Sequence, residues 1–133
     1  MRKLARQIIA KELPRRSLSQ SEPAYAALRV CSKLQGPLTA YAGAVGYRSL
    51  LRRALSLTRT ENQWLATLEV SDAGAIVVPA NSDATWNAAE TAEGGEALVA
   101  QLLQLLEIFI GEALTLRLVH EVWPTVTSKT SNS

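Results

Sequence analysis

A chain of 133 residues with 47% hydrophobic content can bury one ordinary core, which excludes a disordered polymer and argues for one domain. Its single cysteine, Cys31, can form no internal disulfide, so the fold does not depend on an oxidising compartment and a cytoplasmic location is expected. Net charge is only +2, yet residues 1–60 carry twelve Lys and Arg against two acids, or +10, while residues 61–133 carry two against ten, or −8. Such a split serves either a nucleic-acid or anionic-lipid surface on the basic half, or the packing of one half on the other; the absence of an overall basic excess favours packing.

Residues 1–20 predict a basic N-terminal helix or arm. Leu4, Ile8, Ile9 and Leu13 take one half of its circumference, Lys3, Arg6, Gln7 and Lys11 the other, and Pro14 ends it. An Arg-rich, acid-poor, Ser-flanked start also fits an organellar transit peptide or a membrane-surface helix. Ser21, Glu22 and Pro23 open the next helix, which runs through Tyr25, Leu28, Val30, Cys31 and Leu34 to a stop at Gly36-Pro37. A short helix from Leu38 to Val45 should close at Gly43 or Gly46. Tyr47 to Thr58 predicts an amphipathic helix with Leu50, Leu51, Ala54, Leu55 and Leu57 inward and Arg48, Arg52 and Arg53 outward, joined by Arg59. An Asp-Ala-Gly turn between Leu68-Val70 and Ile76-Val78 predicts a small β-hairpin over residues 68–78. Residues 79–94 are small and polar, a loop with a helical turn near Trp86 that could also serve as a lid or interface loop.

Gly95 to Trp123 holds 29 residues without a proline, with apolar residues at helical spacing. One helix of that length would be about 43 Å long. Leu98, Leu102, Leu105, Phe109, Leu116 and Trp123 share a stripe, with Val99, Leu106, Ile110 and Ala113 beside it. Polar residues keep a narrow strip, so this should be a central helix covered by others or by a partner. Gln101, Gln104, Glu107, Glu112 and Arg117 inside it exclude a membrane span. Pro124 breaks it, and residues 125–133 form a polar tail expected to be disordered. No linker divides the chain and no internal repeat of about 20 to 50 residues is apparent. The expected fold is therefore mainly α: a bundle around one long C-terminal helix in a domain over residues 21–124, with the small hairpin at its side.

Chemistry is thinly represented. One cysteine and one histidine cannot make a zinc site, no calcium loop or phosphate cradle occurs, and no metal or cofactor is expected. His120, followed by Glu121, is a phosphotransfer candidate; near a helix end it serves better as a surface or capping residue. Arg117 falls on the apolar side, where it would either anchor a ligand or pair with Glu121 or Glu112 in a buried polar network. Cys31 fits a small core residue better than a nucleophile, since its histidine would come from the far end of the chain. Gly111 costs about 1 kcal/mol against alanine inside a helix, which suggests close approach of another backbone, across a homodimer for instance.

The segments CSKLQGPLTAYAGAVGYRSLLRRALSL and EALVAQLLQLLEIFIGEALTLRLVHEVWP together resemble a group of small bacterial helical proteins without assigned activity, over roughly residues 28–58 and 95–124. The resemblance implies a soluble bacterial protein and no more. The function expected is a non-enzymatic regulatory or adaptor module working by protein–protein contact, as a homo-oligomer, with Arg48, Arg52 and Arg53 at the contact surface. Two alternatives stand beside it: nucleic-acid binding through residues 2–16 and 48–59, and histidine phosphotransfer or another helical enzyme.

Overall fold

The computed structural model of the chain describes residues 1–13 and 20–126. In order, it forms α1 (Arg2–Glu12), α2 (Glu22–Thr58), α3 (Gln63–Ala66), strands β1 (Glu69–Val70) and β2 (Ile76–Val77), a 3-10 turn (Ser82–Thr85), α4 (Ala88–Ile110) and α5 (Glu112–Val122). The fold is mainly α, with the helices packed together and β1 antiparallel to β2, Glu69 opposite Val77 and Val70 opposite Ile76. The hairpin thus lies inside the range its turn residues mark. Pro14 to Ser19, with Arg15 and Arg16, and residues 127–133 of the expected tail lie outside the described residues; Val126 within that tail is buried.

Three helix boundaries differ from the sequence expectation. Gly36-Pro37 does not stop α2: Leu34 and Leu38, both fully buried, hold the chain helical through the proline, and packing outweighs the lost backbone bond. The break comes at Gly43, whose φ of 79° and ψ of 165° belong to a region that only glycine occupies readily. Likewise the stretch from Gly95 to Trp123 is not one helix. Its helix starts earlier, at Ala88, because the Asn87 side chain accepts from Glu90 N at 2.8 Å. It ends at Gly111, with φ 91° and ψ 159°. Gly111 serves this corner rather than a close approach: a Cβ there would meet nothing within 4 Å.

The two corners reveal an internal correspondence. Residues 22–42 and 88–110 each form a long arm, and 44–58 and 112–122 each fold back from a glycine, 68 residues apart in sequence. The long arms run parallel and in register. Gln20 Oε1 accepts from Ala88 N at 2.6 Å, Gln20 O from Thr91 Oγ1 at 3.2 Å, and Ala27 faces Gly95 so closely that a Cβ on the glycine would lie 2.8 Å from the alanine's. Burial repeats with the same spacing: Val30 and Leu98, Leu34 and Leu102, Leu38 and Leu106, Tyr47 and Thr115, Leu51 and Val119, Leu55 and Trp123, and Thr58 and Val126 are all buried. These pairs are the two faces of one core about a pseudo-two-fold axis. Parallel arms of matched length bring Gly43 and Gly111 to the same end of the bundle.

The connection between hairpins, residues 59–87, is tied down at several points. Trp64 lies under Gly94 and donates to Glu90 O at 3.0 Å; its ring meets Trp86 edge-on with centroids 5.0 Å apart. Tyr25 stacks beside Trp86 and donates to Asp83 Oδ2 at 2.8 Å. Trp86 is buried by these contacts, so the segment expected as an irregular loop is pinned to the start of α2 and α4.

Candidate interaction surface

The expected contact arginines have divided roles. Arg48 donates from Nη1 to Asp72 O at 2.6 Å, and Arg52 donates from Nη2 to Val70 O at 3.2 Å. With Gln35 Nε2 on Ala73 O at 2.9 Å, they fasten the β-hairpin to α2. Arg53 is exposed and, among the described residues, makes no ion pair, so only this member of the trio presents an uncommitted charge.

Charge segregation is resolved in part within the chain. Arg2 binds Glu93 at 2.5 Å and Glu96 at 3.1 Å, and Arg6 binds Glu96 at 2.9 Å, laying the basic first helix on the acidic start of α4. The hydrogen bond from Arg6 holds the Glu96 carboxyl below its ordinary range. A second cluster centres on Glu12, whose side chain is only 7% exposed. It receives Lys33 Nζ at 2.7 Å and Trp123 Nε1 at 2.9 Å, with Arg29 Nε at 3.8 Å. Burial pushes that carboxyl up, but the bonds from Lys33 and Trp123 outweigh it and leave its pKa lowered. Sequence reasoning missed this cluster, because nothing in the spacing of Glu12, Lys33 and Trp123 announces contact.

The polar network expected around Arg117 does not form. Arg117, Glu112 and Glu121 are all exposed, because the break at Gly111 resets the helical phase on which Arg117 was placed inward. His120 is exposed in the last turn of α5, as its place near the helix end suggests. Cys31 is buried, and burial pushes its thiol up to about 12, far from the thiolate a nucleophile needs. Among the described residues no group of three His, Cys, Asp or Glu side chains could hold a metal ion, and no helix is long and apolar enough to cross a membrane. A shallow cavity of about 190 Å³ lies between the end of α2 and α4, lined by Arg2, Thr58, Asn62, Gln101 and Gln104 among others.

The feature with the strongest physical signature is the corner end. Tyr41 and Val45 flank Gly43 and are 49% and 65% exposed; Ile108 and Phe109 precede Gly111 and are 83% and 55% exposed. Phe109 was expected on the inward stripe, and Leu57, also expected inward, is half exposed on the returning arm of α2. A signal for the corner was present in the sequence: each corner glycine follows an aromatic residue two positions earlier, Tyr41 and Phe109, again 68 residues apart. Compared with family models, with curated proteins and with solved structures, the chain matches none. What the fold itself defines is a helical protein made of two αα-hairpins about a pseudo-two-fold axis, presenting apolar side chains at its corners.

Proposed function

We propose that this protein is a non-enzymatic regulatory or adaptor module, bacterial and cytoplasmic, that works by protein–protein contact through its corner end. The observation that carries this is the exposure of Ile108 and Phe109 in company with Tyr41 and Val45. Single exposed apolar residues are ordinary on a protein surface; four large ones gathered where two helical hairpins turn favour an interaction site. Arg53 and the acids of the opposite corner would give such a site its charge selectivity.

Nucleic-acid binding draws less support. Arg2, Arg6, Arg29, Lys33 and Arg52 each meet a carboxylate, so much of the basic half is neutralised within the fold. The test is a photo-crosslinking amino acid placed at position 109 of the full chain, irradiated in the cells that make it. A discrete covalent adduct with protein, lost when the crosslinker sits at exposed Gln63 instead, is the expected result. Irradiation that yields no protein adduct at 109 would remove the proposal.

A further inference from the structure

The two corners are equivalent in geometry and opposite in charge. Residues 23–60 contain no acid, and the corner at Gly43 is followed by Arg48, Arg52 and Arg53; Asp72 of the hairpin pairs with Arg52 alone by its carboxylate, so this side keeps a basic excess in which Arg53 is uncommitted. The corner at Gly111 is flanked by Glu107 and Glu112, with Arg117 beyond. Between these charged margins sit the matched aromatics, Tyr41 and Phe109, each about half exposed. Across the end of the bundle the surface therefore reads basic, apolar, acidic.

Such a surface is complementary to its own copy turned by half a rotation. Resting on the reading that this end is a contact surface, we propose that its partner is a second copy of this chain. The copies dock about a two-fold axis that sets the Gly43 corner of each on the Gly111 corner of the other. That rotation places aromatic on aromatic and basic margin on acidic margin twice, and the contact closes as a dimer rather than growing into a filament. The opposite superposition would oppose Glu112 to Glu112 and the arginines to each other, which like-charge repulsion disfavours. A polyanion such as nucleic acid meets the same repulsion at Glu107 and Glu112.

Ala44 makes the geometry testable. It is exposed and lies 68 residues before Glu112, the equivalent place on the other hairpin, so in the dimer it faces Glu112 of the second copy. Solution mass is measured by light scattering on the purified full chain over a range of concentrations, alongside crosslinking from position 109. The expected mass is twice 14.4 kDa, with a covalent dimer after irradiation. Phe109→Asp should raise the dimer dissociation constant about tenfold or more while leaving the circular dichroism unchanged. Ala44→Arg should tighten the dimer about two- to fivefold and Ala44→Glu should loosen it comparably, both differences shrinking at high salt. A wild-type monomer at every concentration overturns the second-copy inference; if position 109 still crosslinks to a different protein in cells, the interaction-module proposal survives it. A dimer indifferent to Phe109→Asp, or Ala44 variants that shift it equally in one direction, overturns the docking geometry.

Discussion

Trp123 Nε1 donates to Glu12 Oε2 at 2.9 Å across 111 residues of sequence, joining the last turn of the fold to its first helix. The same carboxylate holds Lys33 on α2, so one buried acid ties α1, α2 and the end of α5 together. Replacing Trp123 by Phe keeps most of the buried ring but leaves Glu12 short of a donor. We expect a loss of about 1.5–3 kcal/mol, against about 3–5 kcal/mol for Trp123→Ala, read from urea unfolding. A Trp123→Phe variant as stable as the native chain would mean the hydrogen bond contributes nothing.

That cluster also sets an acid limit. Glu12 and Glu96 both have pKa values below the ordinary 4.5, so the stability they contribute is complete above that value and disappears as pH falls through the lowered one. The urea midpoint should be flat from about pH 7 to 5 and fall below about 4.5. The double variant Glu12→Gln, Glu96→Gln should start lower and show a shallower acid fall. An identical acid profile in the variant would place the titration elsewhere.

The corner glycines should tolerate no side chain despite the open space around them. Nothing lies within 4 Å of a Cβ at Gly43 or Gly111, so the penalty is purely conformational. Each Gly→Ala change should cost about 1–3 kcal/mol. Gly36→Ala, equally free of neighbours but in helical backbone, should be neutral or stabilising. Thermal denaturation of the three variants separates strain from crowding.

Gly95 tests the opposite effect. Its backbone is helical, but a Cβ there would meet the Ala27 Cβ at 2.8 Å, so the parallel arms must part to admit it. Gly95→Leu should cost about 1–3 kcal/mol or more by overpacking. Combining Gly95→Ala with Ala27→Gly should recover most of what Gly95→Ala alone loses. A double variant no better than the single one would show that the two arms do not meet at this pair.

Cys31 should be chemically silent in the native chain. With its thiol buried and its pKa pushed up to about 12, labelling by a thiol reagent near neutral pH should proceed only as fast as the fold opens. Rapid stoichiometric labelling without denaturant would contradict the burial.

Local signals located most of the elements. The apolar spacing in α1, the Ser-Glu-Pro start of α2, the Asp-Ala-Gly turn of the hairpin and the burial of Leu51, Ala54 and Leu55 all follow from periodicity and turn chemistry, which act over a few residues. Arg117 was misplaced because a helical wheel carried through Gly111 keeps a phase that the corner destroys, whereas Phe109 precedes the break and is exposed because it sits in the last turn of α4, at the end of the helix. The apolar corner therefore came into view only when both breaks were located.

By itself, then, the sequence determined a mainly helical chain, the placing of its hairpin and the division of charge between its halves, because composition and periodicity survive without knowledge of neighbours. The tertiary structure alone decided that Pro37 stays helical between buried Leu34 and Leu38, that the turn falls at Gly43 rather than Gly46, and that Gly111 turns the chain. It also decided that two hairpins of dissimilar sequence share one pattern of burial, and that Glu12 meets Trp123. These are outcomes of packing between segments far apart in the chain, where the free energy depends on which surfaces meet rather than on which residues are adjacent.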